Sequence, residues 1–281
     1  MRRLAAAIVL VFSAVAAPAQ NPDWVRPFEA HRVIGNLYYV GTYDLACYLI
    51  TSDEGHILIN TGLPDSATLI KQSVESLGFA YEDIAILLTM QAHWDHVGAL
   101  KKIEEQTGAE VFATAADAKL LESGGFDDWL FGGRVLFAPV EVDRILEHGD
   151  AVTIGDARLE VMLTPGHTTG SSSYAMQVTE GGKQYDVLIA NMNSINPGVT
   201  FLGNTDYPTI TEDFATTFAR QKEAPVDVWV AAHASQYGLH EKYKPGDAYD
   251  PERFVDPEGY RRTVRRYEML YLEQLEAERG E

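Results

Sequence analysis

The chain has a single cysteine, Cys47, among its 281 residues. One thiol cannot form an internal disulfide, so the sequence excludes a fold held together by disulfides. Cys47 lies in the apolar run 45–50. We therefore expect it to be a buried, unreactive side chain.

Basic residues are scarce. Lys and Arg number 22 against 41 Asp and Glu, which gives a formal charge of −19 at pH 7. A nucleic-acid-binding protein usually carries a basic patch, so this balance argues against nucleic acid as a partner. It favours, weakly, a soluble protein that acts on small molecules, and we expect that protein to be a monomer.

After the first twenty residues, the sequence has no apolar run long enough to span a membrane. Within those twenty residues, two arginines precede an apolar stretch at 4–15, and a small-x-small pattern ends at Ala19. This stretch is too short to span a bilayer and is typical of a secretory signal peptide. A retained membrane anchor is the alternative. We predict that residues 1–19 are removed on export to the periplasm and that 20–281 form one domain without further membrane contact.

Short strand patterns alternate with helical ones along the rest of the chain. The strand candidates are rich in Val, Ile, Leu and Tyr, and Gly, Asp or Pro bounds most of them. No repeat or linker interrupts the alternation, which predicts a single α/β domain. The candidates are 37–41, 45–51, 56–60, 84–89, 110–112, 151–154, 158–163, 174–178, 187–190 and 226–231.

Three amphipathic segments predict helices between these strands. The first begins at Asp65 or Ser66 and stops at Gly78. The second follows a capping-box pattern at 209–212. The third is long and is marked by aromatic and apolar residues at helical spacing within 260–271.

Four of the eight histidines follow strand patterns in turn-like contexts. His93 and His96 flank Asp95 in QAHWDHVG, His167 lies in TPGHTTGS and His233 in AAHAS. Imidazole and carboxylate are zinc ligands. A tight turn lets side chains one to three residues apart converge, so the first cluster could face two metals roughly 3.5–4 Å apart. The alternative is a closed zinc site that only stabilises the fold, but the ligands of such sites are often cysteines.

These motifs, with ILINTG upstream of them, resemble the metallo-β-lactamase superfamily. They run from residue 57 to 233 in the family's order. The resemblance implies an αββα sandwich, in which two mixed sheets lie back to back, helices cover the outside and the metals lie at one edge.

The stretch LIANMNSINPG, residues 188–198, separates the branches of that superfamily. Glyoxalase-type hydrolases and lactonases place an Asp there, and two lactamase subclasses place a Cys. This chain has neither. It resembles the third subclass, class B3, and most of all its GOB-type branch, which has Gln91 in place of a histidine.

The resemblance implies two neighbouring zinc sites, with one or two zinc ions per chain. An amide is a weaker zinc ligand than imidazole, so we expect the second site, which has no glutamine, to fill first and to bind more tightly. The ligands would be Gln91, His93 and His167 in the first site and Asp95, His96 and His233 in the second.

The implied activity is zinc-dependent opening of the β-lactam ring of penicillins, cephalosporins and carbapenems by a metal-bound hydroxide that Asp95 orients, and hence antibiotic resistance. A lactone or thioester hydrolase on the same fold is the alternative. A non-enzymatic zinc-binding protein with a decayed site is a third possibility, but five of the six usual ligands are present. The chain contains neither G-x-S-x-G nor S-x-x-K, which argues against a serine nucleophile.

Substrate contacts are suggested at two places. The segment GGFDDWLFGG, residues 124–133, resembles a flexible substrate-covering loop. Its Trp129 and Phe131 could touch an apolar substrate face or could equally anchor the loop in the core. Family members also place small polar groups near the second metal and the substrate carboxylate. The residues in the matching region are Asn191, Asn193, Ser194 and Asn196.

Overall fold

A computed structural model describes residues 21–280. The predicted signal peptide and its cleavage point lie outside these residues. The first of two central sheets has seven strands in chain order, antiparallel from β1 to β4 and parallel from β4 to β7. They are β1 (His31–Ile34), β2 (Leu37–Tyr39), β3 (Tyr48–Thr51), β4 (His56–Ile59), β5 (Ile84–Leu88), β6 (Glu110–Thr114) and β7 (Arg144–Leu146).

The second sheet has five strands in the order β12-β11-β10-β9-β8. Its pairs are antiparallel except for β11 with β12, which are parallel. Both sheets are therefore mixed, as predicted. The strands are β8 (Ala151–Ile154), β9 (Ala157–Leu163), β10 (Ser172–Glu180), β11 (Lys183–Ala190) and β12 (Val228–Ala231).

Helices cover the outer faces of the sheets. Strand β4 is buried on both sides because its alternate residues serve two cores. Ile57 and Ile59 pack towards the second sheet, and Leu58 packs towards helices α1 and α3. This layering confirms the predicted αββα sandwich. The helices are α1 (Ser66–Ser76), α2 (Trp94–Val97), α3 (Leu100–Thr107), α4 (Ala115–Glu122), α5 (Ile210–Glu223), α6 (Leu239–Lys242) and α7 (Pro257–Gly280).

The predicted elements are present, with two kinds of correction. Strands β1 and β7 and helices α2, α3, α4 and α6 were not predicted. The capping box at 209–212 was wrong, because Thr209 starts α5 without a side-chain cap and its hydroxyl donates to Asp213. Thr209 has φ −93° and ψ 6°, whereas a capping residue is usually extended. Cys47 is buried, as predicted. Within residues 21–280, no helix is both long and apolar enough to cross a membrane.

Four strand ends meet at one edge of the sandwich. Strands β9, β11 and β12 point the same way, because β10 is antiparallel to both β9 and β11 while β12 is parallel to β11. The end of β5 joins them, since Ser172 N donates to Met90 O at 2.8 Å across the two sheets. The loops after β5, β9 and β12 carry all four histidines singled out above, and the loop after β11 carries the polar stretch 191–196. Side chains on loops held by a rigid sheet are well placed for chemistry.

Candidate metal centre

The HWDH turn supplies three of the candidate ligands. His93 is extended at the start of the one-turn helix α2, and His93 O accepts from His96 N at 2.8 Å. The turn sends His93 to one side and the pair Asp95 and His96 to the other. This placement agrees with the hypothesis that the HxDH motif contributes ligands to two neighbouring metal sites.

The second candidate site is an Asp–His–His cluster. The ligand atoms of Asp95, His96 and His233 all lie within 4.8 Å of one another. Asp95 Oδ2 lies 3.4 Å from His96 Nε2 and 3.6 Å from His233 Nε2. His96 Nε2 is buried without a hydrogen-bond partner in the described part of the chain. Such an atom is costly to bury unless something binds it, and a metal ion would do so.

The first candidate site lies beside it. The rings of His93 and His167 are 4.9 Å apart between centroids. Gln91 lines the same cleft as these two histidines. The structure thus brings together the three residues predicted for the first metal, next to the three predicted for the second.

Hydrogen bonds on the side away from the cleft orient the imidazole rings. His167 Nδ1 lies 2.8 Å from Ser194 O, and His233 Nδ1 lies 3.1 Å from a carboxylate oxygen of Asp44. Both partners accept hydrogen bonds, so each Nδ1 carries a proton. In His167 this leaves the Nε2 lone pair for the cleft, whereas the His233 ring lies between two carboxylates, because its Nε2 is 3.6 Å from Asp95 Oδ2. His96 Nδ1 instead faces the Asn60 amide at 3.4 Å.

The charge states of these groups suit a cation. Burial lowers the pKa of His96 to about 4, and burial together with the nearby His93 lowers the pKa of His167 to about 3, so both rings are neutral at pH 7. Burial would raise the pKa of Asp95, but His96 and His233 hold it below its usual range. Burial likewise opposes ionisation of Asp44, but its hydrogen bonds with His233 and Ser235 keep its pKa low. Burial opposes protonation of His233, but its hydrogen bond with Asp44 and the nearby Asp95 raise its pKa. The neutral rings of His96 and His167 beside an ionised carboxylate fit zinc.

The cleft encloses about 200 Å³ and contains residues that sequence reasoning missed, Trp24, Trp94 and Gln236 among them. Trp24 Nε1 donates to the Asp44 oxygen that also faces His233, and its ring lies 5.9 Å from the His233 ring. Trp24 precedes every predicted strand and belongs to no motif. Nothing in the local sequence indicates this contact.

The predicted substrate residues separate into two groups. Ser194, Asn196 and Phe131 line the cleft. Asn193 is buried behind it, where its amide accepts from His167 N and donates to Pro165 O. Asn191 is also buried, and its amide donates to Met90 O.

The two aromatic residues of segment 124–133 also differ. The Phe131 ring lies 5.2 Å from the His93 ring. Trp129 packs 5.5 Å from Tyr207 and is not among the residues that line the cleft. This placement agrees with the alternative in which Trp129 anchors the loop.

Residues 41–179 match the model of the metallo-beta-lactamase superfamily. The class B3 di-zinc metallo-beta-lactamase LRA-12 from an Alaskan soil metagenome is 43% identical over 92% of this chain and 98% of its own, with a TM-score of 0.89. GOB-18 from Elizabethkingia meningoseptica is 41% identical over 97% and 100%, with a TM-score of 0.90. The chain belongs to the metallo-beta-lactamase superfamily.

Two curated relatives match a shorter part of the chain. The probable metallo-hydrolase YqgX of Bacillus subtilis is 33% identical over 48% of this chain and 62% of its own length. A hydroxyacylglutathione hydrolase of Rhodospirillum rubrum is 32% identical over 40% of this chain and 35% of its own length. The alignments thus leave a large part of each of these relatives unmatched, whereas the class B3 enzymes are matched almost throughout.

Proposed function

We propose that this chain is a zinc-dependent β-lactamase that opens the ring of penicillins, cephalosporins and carbapenems. The observation that carries the proposal is the cluster of Asp95, His96 and His233 beside His93 and His167. All of these except the buried His96 line one cleft. Identities of 41–43% over nearly the whole length of two class B3 enzymes support it.

The six side chains fit two zinc ions, in an arrangement that includes one amide. The second site would bind zinc more tightly, because carboxylate and imidazole are better ligands for zinc than an amide. When bound, zinc supplies a Lewis acid that polarises the substrate carbonyl and acidifies water. The proposed ligands are Gln91, His93 and His167 for one ion and Asp95, His96 and His233 for the other.

The chain's own groups would position the reactants. Asp95 is ionised, so it can accept a hydrogen bond from the attacking water and fix the direction of its approach. Ser194 and Asn196 line the cleft and can donate hydrogen bonds to the carboxylate that these drugs share. Trp24 and Phe131 form apolar walls that limit access of bulk water.

The decisive test is turnover of a chromogenic cephalosporin, a penicillin and a carbapenem by purified protein. We expect hydrolysis of all three, loss of activity after chelation and recovery with zinc. Compounds that acylate an active-site serine should have little effect, because neither serine motif is present.

A thioester or lactone hydrolase is the second candidate, favoured by the match to a hydroxyacylglutathione hydrolase. The Asp expected of such enzymes is replaced in this chain by the stretch 191–193, in which Met192 lines the cleft. Turnover of a lactone or a glutathione thioester at saturating zinc, without any β-lactam turnover, would promote this candidate.

We also propose that the protein is exported, because residues 1–19 have the composition of a signal peptide. Mass spectrometry of protein from the periplasm of an expressing host should show Gln20, or its cyclised form, as the first residue. An exported protein that still began at Met1 would contradict the proposal.

A further inference from the structure

Asp128 is the buried acid of segment 124–133, and its two oxygens have different partners. Oδ1 accepts from Leu130 N at 2.8 Å and from Phe131 N at 2.6 Å, and so closes the turn within the segment. Oδ2 lies 3.4 Å from His93 Nε2. Only 7% of Asp128 is exposed. One side chain thus touches both the covering segment and a candidate metal ligand.

The contact with Asp128 determines which nitrogen of His93 can bind a metal. A carboxylate only accepts hydrogen bonds, and an imidazole that binds a metal through one nitrogen carries its proton on the other. With Asp128 beside Nε2, His93 would keep the proton there and offer the Nδ1 lone pair to a metal. His167 has the opposite arrangement, with Nδ1 against Ser194 O and Nε2 free.

The segment also packs directly on this ligand. The Phe131 ring lies 5.2 Å from the His93 ring, and Phe131 N is one of the donors to Asp128. Unfolding of the turn would remove both the acceptor for His93 Nε2 and the ring that packs against it. The first site already has an amide among its three proposed ligands, so it depends strongly on a correctly oriented His93.

We propose that Asp128 is a positioning residue that couples the conformation of segment 124–133 to zinc occupancy of the site formed by Gln91, His93 and His167. The inference rests on the metal sites of the proposed function. Such coupling is reciprocal. A zinc ion in the first site stabilises the closed turn, and the closed turn strengthens zinc binding there.

Asp128→Asn separates the two contacts. The asparagine oxygen can still accept from Leu130 N and Phe131 N, so the turn is kept. Its amide group would present a donor to His93 Nε2, which favours the proton on Nδ1 and blocks the lone pair that zinc needs. Asp128→Ala removes both contacts. Asp127→Asn is the matched control, because it removes the neighbouring charge from an exposed position in the same segment.

Zinc titration against a competing chelator gives the first measurement. In Asp128→Asn we expect the dissociation constant of the weaker zinc-binding event to rise by about 10–100-fold, the usual effect of losing a residue that orients a ligand. The tighter event should stay within about twofold, since Asp128 contacts no proposed ligand of that site. Asp127→Asn should match the wild type in both events.

Chymotrypsin cleavage after Phe126, which is 65% exposed, reports on the segment itself. Cleavage after Tyr249, which is 41% exposed and lies outside the segment, corrects for general stabilisation by the metal. In the wild type, filling the first site should slow cleavage at Phe126 relative to Tyr249. At the same free zinc, Asp128→Asn should lose this slowing.

The outcomes distinguish this inference from the proposed function. A wild type with two zinc events, of which the weaker is unchanged in Asp128→Asn, would overturn the coupling alone. A weaker event that moves equally in Asp127→Asn would do the same, because general charge would then explain it. Uptake of a single zinc ion by the wild type, with β-lactam turnover intact, would overturn the coupling and leave the proposed function standing, because that function requires one or two ions. Two coupled zinc sites without β-lactam turnover would overturn only the proposed function.

Discussion

Asp95→Asn should lower kcat/KM for a chromogenic cephalosporin by about 10³-fold, the scale of losing one well-placed charged group in an active site. Asp95 is the only carboxylate in the Asp–His–His cluster, and one of its oxygens lies within 3.6 Å of both imidazoles. Asparagine has nearly the same shape but no negative charge. It would weaken zinc binding in the tighter site and would orient water less strongly.

Gln91→Ala should be much milder, with a loss of about tenfold or less at saturating zinc, because a weak neutral ligand of the looser site is removed. Both variants should be assayed over a range of zinc concentrations, and their zinc content should be measured. Asp53→Asn, an exposed change in the turn that leads into β4, at the opposite edge from the strand ends that carry the ligands, controls for loss of one acid. Equal losses in the two ligand variants would mean that both metals are required and that activity does not rest mainly on the second site.

The parts of the site that sequence reasoning predicted are local or belong to a known motif. Asp95 and His96 are fixed by a one-turn helix directly after a strand, so their convergence follows from spacing. His167 and His233 come from distant loops, and the family resemblance rather than spacing placed them beside that turn. The sheet edge where β5, β9 and β12 end explains why these loops meet.

The residues that sequence reasoning missed act through long-range contacts with no periodic signal. Asp44 contacts His233, which is 189 positions away, and Trp24 contacts Asp44. Sequence reasoning placed Asp128 in segment 124–133 without assigning it a role, because its contact with His93 depends on how that segment folds back. The missed strand β7 is a three-residue edge strand in which only Leu146 is buried, so it shows no strand alternation.

Asn60 connects the first sheet to the ligand-bearing turn through its hydrogen bonds. Among residues 21–280 it is the only residue other than glycine with positive φ, at 62°. Its side chain accepts from Met90 N at 2.9 Å and donates to Ala46 O at 3.3 Å. The same amide faces His96 Nδ1. Asn60 thus links the end of β4 to the end of β5, where the ligand-bearing turn begins.

Asn60→Ala should lower the free energy of unfolding by about 2–5 kcal/mol. The buried Met90 N would lose its acceptor, at about 1–3 kcal/mol, and alanine in the left-handed region costs about 1–2 kcal/mol more. Urea unfolding of metal-free protein, followed by both circular dichroism and fluorescence, measures the change where the two transitions coincide.

Asn60→Gly separates the two contributions, because glycine adopts positive φ without strain but lacks the amide. It should be more stable than Asn60→Ala, because relief of about 1–2 kcal/mol of strain exceeds the about 0.4–1 kcal/mol that glycine costs through its more flexible unfolded chain, yet it should still be clearly less stable than the wild type. An Asn60→Gly protein less stable than Asn60→Ala would show that alanine adopts this left-handed conformation with little strain. An Asn60→Ala protein within about 0.5 kcal/mol of the wild type, the range of ordinary surface changes, would show that the amide does not hold the ends of β4 and β5 together.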